Sequence, residues 1–216
     1  MRNGIMKFVS VAVCVLFIST LSGCTVRFHK GHLDDLEKIS ELHGKLKELE
    51  AAKVLLEERL KSQIAKKQVK VDLSERGLVI TFLNEILFDS GKAELRKDAY
   101  SALDEVIDVI RQKVSDRHIG VEGHTDDQPI QYSGWKSNWE LSTARAITVL
   151  HYLEDGGVSP KKLRATGFGE HRPVALNATE KARQQNRRVE IVILPKGVDR
   201  VTYDDEVKPP SADDVK

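Results

Sequence analysis

The chain of 216 residues is poor in cysteine, in net charge and in long apolar runs, and each shortage closes off a class of function. Its two cysteines are Cys14 and Cys24, and Cys14 lies in an apolar run expected to be removed. The mature chain then keeps at most one thiol, so no internal disulfide can form, and redox compartment cannot be read from cysteine usage. A formal net charge of +1 leaves no basic stripe of the kind that nucleic-acid binding needs. No glycine-rich phosphate loop ending in Lys-Ser or Lys-Thr occurs. The seven histidines are scattered. His124 and Asp126 have metal-ligand spacing, but no further His or Cys cluster supports them, so no metal or cofactor is expected. Glu122 and Asp126 suggest the paired carboxylates of a muramidase, yet nothing supplies the apolar pocket that would raise one pKa. Non-catalytic binding is the expectation.

The longest apolar run, Phe8 to Leu21, follows Arg2 and Lys7. Fourteen helical residues rise ~21 Å, short of the ~30 Å hydrocarbon core, which is signal-peptide length rather than spanning length. Residues 8–21 also contain no acid. The run closes on Leu21-Ser22-Gly23-Cys24, which resembles a bacterial lipobox with small residues before the cysteine. Residues 1–23 are thus read as a lipoprotein signal peptide and Cys24 as the lipidated first mature residue. Thr25 follows where an aspartate would resemble an inner-membrane retention signal, so the expected location is the outer membrane, facing the periplasm.

Residues 24–68 are read as the lipidated amino terminus and a coiled-coil spacer. The stretch 32–68 lacks proline, and Ile39, Leu42, Leu46, Leu49, Leu56 and Leu60 keep a 3-4-3 spacing broken at Lys53. About 36 helical residues reach ~54 Å. A homodimer through 32–68 is expected, the alternative being one amphipathic helix packed on its own domain.

Residues 69–196 alternate strand and helix patterns. Strands are expected at 69–73, 78–83, 118–123, 163–168 and 187–194, with a short extended piece at 86–88. Helices are expected at 93–114, 138–154 and 179–185. Helices on one face of a mixed sheet give an α/β (α+β) two-layer sandwich. Residues 197–216 lack periodicity and read as a disordered tail.

The stretch 122–145 carries the chemistry. It leaves a strand, with Gly123 expected to allow a sharp turn, and enters a helix at Ser137, with Glu140 three residues later as a capping box. Asp126 sits at the strand exit. Ala146, Val149, Leu150 and Leu153 form the helix's apolar face, with Asn138, Ser142 and Arg145 on its flank. Trp139 reads as core and Trp135 as closing the loop. Asp126 and Arg145, facing across the loop, can form a structural salt bridge. They can equally hold a ligand that carries both an ammonium and a carboxylate, with the Arg fork on the carboxylate.

Gly-His-Thr-Asp at 123–126, Ser-Asn-Trp-Glu-Leu-Ser-x-x-Arg-Ala from 137, and Asn-Arg-Arg-Val-Glu at 186–190 together resemble the OmpA-like peptidoglycan-binding domain family. That family includes Pal-type lipoproteins and the wall-binding domain of flagellar stator proteins. The resemblance covers roughly residues 70–195. It implies an OmpA-C-like fold in which Asp126 and Arg145 grip the zwitterionic end of a diamino acid in a peptidoglycan stem peptide. Thr125, Asn138, Leu141 and Arg187 complete the implied peptidoglycan-binding set. Neighbours on a strand point to opposite faces, so Arg187 and Arg188 cannot both face the site, and the resemblance favours Arg187. The lipobox favours an outer-membrane tether to the wall. The long loop Asp-Asp-Gln-Pro-Ile resembles the stator type and supports the alternative, a stator-like or secretion/motor-complex subunit.

Overall fold

In a computed structural model, which describes residues 31–130 and 134–198, five strands form one mixed sheet with the long helices of the domain on one face. The lipobox, Cys24 and most of the tail lie outside the described residues. Contacts divide the chain into two compact units, Met1–Leu42 and His43–Lys216. No helix of the described residues is long and apolar enough to cross a membrane.

Helix α1 runs Gly31–Arg59 and is followed by a short helix, α2, Lys61–Ala65. Strands β1 (Val69–Ser74) and β2 (Gly77–Leu83) pair antiparallel around the turn at Gly77, whose φ of 123° only glycine adopts readily. A one-turn helix, α3 (Asn84–Leu87), stands where an extended piece was expected. Phe88 then bridges to Leu95, so Leu95 is spent on that bridge and helix α4 starts late, at Lys97, and ends at Lys113. Strand β3 (Ile119–His124), helix α5 (Asn138–Asp155), strand β4 (Leu163–Gly167), helix α6 (Glu180–Asn186) and strand β5 (Arg188–Ile193) complete the domain. The sheet order is β1-β2-β5-β3-β4, antiparallel except for the β3–β4 pair.

Period-2 alternation sorts each strand's side chains onto two faces. Leu78, Ile80 and Phe82 of β2, Ile119 and Val121 of β3, and Val189, Ile191 and Ile193 of β5 share one core with Leu103, Val106 and Ile110 of α4 and Val149 and Leu153 of α5. Gly123 does not turn the chain. It lies within β3, and a Cβ there would stand 2.0 Å from the Ser142 carbonyl oxygen of α5. A Cβ on Gly167 of β4 would likewise meet Thr143, its backbone nitrogen at 2.5 Å. Two side-chain-free positions therefore let the start of α5 lie directly on the sheet.

The second half of α1 belongs to this core. Leu49, Ala52, Leu56 and Leu60 are buried within it, and Arg59 pairs with Glu105 at 3.0 Å and Asp108 at 3.5 Å on α4. Glu48 pairs with the buried Arg117. The heptad seam expected to face a second copy is thus divided. Leu49, Leu56 and Leu60 cover their own domain, and Ile39 and Leu46 are exposed. The 3-4-3 spacing describes a helix stripe without naming what it packs against.

The face of the sheet opposite α4 and α5 carries a small apolar cluster, Val79, Val192 and Leu194, and beside it a polar cluster that is also buried. Glu122, His124, Arg188 and Glu190 cluster there, each almost inaccessible to solvent. Arg76 bonds both Glu122 and Glu190, and Arg188 Nε donates to Glu190 at 2.6 Å. Phe168 stacks on His124 with ring centroids 5.2 Å apart, and Arg172 lies over Phe168. Burial, then the Arg188 charge, holds the His124 imidazole well below its ordinary pKa of 6.5. Burial pushes the Glu190 carboxyl up, but the Arg188 and Arg76 charges outweigh it and hold it at about 2.

Two outcomes follow from this packing. Leu56→Ala removes fully buried methyl groups and should cost about 2–5 kcal/mol in denaturant unfolding. A seam reserved for a second copy would instead show that loss only as a change in sedimentation. The unfolded chain protonates His124 before the folded chain does, so stability is complete above pH 6.5 and falls as the pH drops below it. Glu190 adds a further loss as the pH falls from 4.5 towards 2. Melting temperatures measured against pH should show the first decline, and His124→Phe, which keeps the ring stack, should flatten it.

Candidate functional site

The loop leaving β3 and the start of α5 border a cleft of about 850 Å³, whose opposite wall is the segment from Asn84 to Lys92. Asp126, Arg145, Thr125, Asn138, Leu141 and Arg187, the six residues singled out from the sequence, all line it. They come from three separate segments, and the sheet and its helix bring them together.

Each is held by local structure. Thr125 N–H donates to the Gly169 carbonyl at 2.9 Å, extending the strand exit by one bond. Ser137 caps α5 by accepting from the Glu140 N–H, and the Glu140 carboxylate accepts from Lys136 N–H at 2.8 Å. Asn138, the first residue of α5, ties three pieces together. Its Nδ2 donates to the carbonyls of Asp126 and Gln128 and to Glu170 Oε2 at 2.8 Å. Leu141 is buried one turn on. Trp135 closes the loop as expected, donating from Nε1 to the Gly91 carbonyl at 2.8 Å.

Of the two readings of Asp126 and Arg145, the direct salt bridge between them is not formed. Asp126 Oδ2 accepts from Arg187 Nη1 at 2.7 Å rather than from Arg145, and its Oδ1 accepts from Gln128 N–H at 3.3 Å. Arg187 also donates to Glu85 and Glu180, each at 2.8 Å. Burial alone would lower the Arg187 pKa, but these three carboxylates raise it above the ordinary guanidinium value. Arg145, 5% exposed, donates from Nε to the Lys92 carbonyl at 2.9 Å and from Nη2 to the Asp89 carbonyl, with its guanidinium 5.2 Å from the Phe88 ring centroid. Burial lowers its pKa to about 10, so it stays cationic at neutral pH. The neutral carbonyls and the ring orient Arg145 without neutralising it. A bound carboxylate would meet a charge that no carboxylate among the described residues already bonds.

Glu85, Glu180 and the Phe88–Lys92 segment were not singled out from the sequence, because they meet Asp126 and Arg145 only through the fold. Trp139, expected in the core, is 49% exposed. Glu122 lies on the far face with Arg76 and is not among the cleft-lining residues. The ligand atoms of Glu122, His124 and Glu190 lie within 4.8 Å of one another, close enough for a metal ion. Arg76 and Arg188 already balance the two carboxylates there, so a divalent cation would add an uncompensated charge to a buried site.

Comparison with known proteins places this geometry. The chain is 39% identical over 151 residues to motility protein B of Bacillus subtilis (strain 168), covering 69% of this chain and 58% of that protein, so it spans less than two thirds of that relative's length. A MotB-like protein from Desulfovibrio vulgaris superposes with a TM-score of 0.65 at 26% identity, over 73% of this chain and 97% of that one. The cell wall anchor of the T6SS from Pseudomonas aeruginosa superposes with a TM-score of 0.59 at 31% identity, over 65% of this chain and 97% of that one. A family model described as the OmpA family matches residues 87–187, the span that holds all six cleft residues singled out from the sequence, so the chain carries an OmpA family domain.

Proposed function

We propose that the cleft binds the diamino-acid residue of a peptidoglycan stem peptide without cleaving it, and that the chain anchors a membrane-associated machine of the stator or secretion type to the cell wall. The observation that carries the binding reading is the division of charge across one cleft. Arg145 is oriented by carbonyls and an aromatic ring and offers its charge to a carboxylate. Asp126, Glu85 and Glu180 surround Arg187 and outnumber it, leaving negative charge for an ammonium. A diamino acid carries both groups at one end. The machine reading is supported by likeness to motility protein B and to the T6SS anchor.

A second reading, an outer-membrane lipoprotein tethering that membrane to the wall, rests on Leu21-Ser22-Gly23-Cys24. It requires a diacylglyceryl group on Cys24 as the first mature residue. Mass spectrometry of the membrane-extracted protein should find that mass if the tether reading holds. A mature amino terminus elsewhere would remove it and leave the cleft's proposed role untouched.

Binding to purified sacculi tests the cleft. Charge-assisted hydrogen bonds contribute roughly 1.5–3 kcal/mol each, so Asp126→Ala should weaken binding about 10- to 150-fold. Arg187 keeps Glu85 and Glu180 in that variant, so its stability should fall by no more than about 1–2 kcal/mol. Arg145→Lys keeps the charge but loses the fork, and should also bind more weakly while still folding. Folded variants that pull down with sacculi as well as the unmutated protein would rule this site out.

A further inference from the structure

Beside the cleft, two aromatic rings form an exposed stack that the charged cleft does not use. Trp139 and His171 lie with centroids 4.8 Å apart and planes inclined by 26°. Trp139 keeps 49% of its surface exposed, and His171 is exposed too. Their backbones are fixed to the cleft wall. Asn138, directly before Trp139, bonds the Asp126 carbonyl, and its Nδ2 also holds Glu170, directly before His171. Gly169, at a φ of 55°, fits against the Asn138–Trp139 peptide, where a Cβ would stand 3.4 Å from Trp139 N. Its N–H donates to Ser142 Oγ of α5. The stack is therefore carried on backbone that is tied to the cleft wall on both sides, although neither ring lines the cleft itself.

We propose that this platform is a sugar subsite, on which a pyranose ring of the peptidoglycan glycan strand stacks while the stem peptide enters the cleft. The inference rests on the stem-peptide reading of the cleft and extends it. A pyranose presents a face of C–H bonds with slight positive charge, and the indole face is electron-rich and apolar, so the two surfaces complement each other. The reach is suitable. The diamino acid is separated from the muramic acid by two residues, at most ~3.6 Å each, which puts the sugar on the order of 10 Å from Asp126. Trp139 follows Asn138, whose side chain touches the Asp126 backbone. An indole needed only to pin His171 would be expected to hide its apolar surface, whereas half of this one faces solvent.

Calorimetry with three ligands separates the possibilities: free stem tetrapeptide, the same peptide on its disaccharide, and peptide-free glycan chains. The disaccharide-peptide should bind the unmutated protein roughly three- to tenfold more tightly than the tetrapeptide. Trp139→Ala and His171→Ala should each erase that difference and leave tetrapeptide affinity unchanged. In NMR spectra of the unmutated protein, the Trp139 indole resonance should shift with the glycan chains, while Trp135, bonded to Gly91, serves as the control. Equal affinity of the unmutated protein for both peptides, or variants that lose both equally, would overturn the subsite. A tetrapeptide that fails to bind while glycan chains still move the Trp139 signal would reject the stem-peptide reading and retain the platform. Silence from all three ligands would reject both.

Discussion

The direct contact of α5 with the sheet is the constraint on which the remainder of the site depends. Gly123 and Gly167 leave no side chain between the strands and the first turns of the helix, and any Cβ there would meet helix backbone. Interiors are packed to crystal-like density, so such an approach cannot be relaxed by small adjustments. Because the helix lies this close, Asn138 reaches the backbone of the β3 exit loop and Ser142 reaches Gly169. Leu141 and Arg145, one turn apart, then face the cleft beside Asp126.

The two faces of the sheet handle charge in different ways. On the far face Glu122 and Glu190 are matched by Arg76 and Arg188 in a buried, closed network, and His124 stays neutral against Phe168. In the cleft, by contrast, the matching is left incomplete. Arg187 is shared among three carboxylates, and Arg145 is bound by carbonyls rather than by an acid. The adjacent residues Arg187 and Arg188 serve the two sides separately. Arg187 precedes β5 and lines the cleft, whereas Arg188, its first residue, is buried on the far face. A cleft with unmatched charge on both walls is suited to a zwitterion, and a closed network is suited to stability.

The first long helix shows that a seam-like pattern can be spent on the chain's own domain. Its leucines keep a seam-like spacing, and four buried positions of that helix and its end, Leu49, Ala52, Leu56 and Leu60, join the domain core. The ion pairs of Arg59 with α4 and of Glu48 with Arg117 fix the same docking. A buried arginine whose charge is met by an acid on the helix gives that acid a structural reason that its surface position would not suggest.

The sequence by itself determined the two-layer architecture and, apart from the turn of helix at Asn84–Leu87, the order of the main elements, and its motif resemblance pointed to the six residues that line the cleft. Period-2 and period-3.6 patterns are local, and three separated motifs marked the segments that converge. Alternation also implied that Arg187 and Arg188 point apart, and the motif resemblance chose Arg187 between them. Tertiary structure decided what the patterns leave open. Asp126 is paired with Arg187 rather than Arg145, because the partner is chosen by distance across the fold. Gly123 serves helix approach rather than a turn, because the atom that excludes a Cβ comes from residue 142. Trp139 stands outside the core, and Leu56 lies within its own domain's core, because a helix stripe specifies burial without specifying against what.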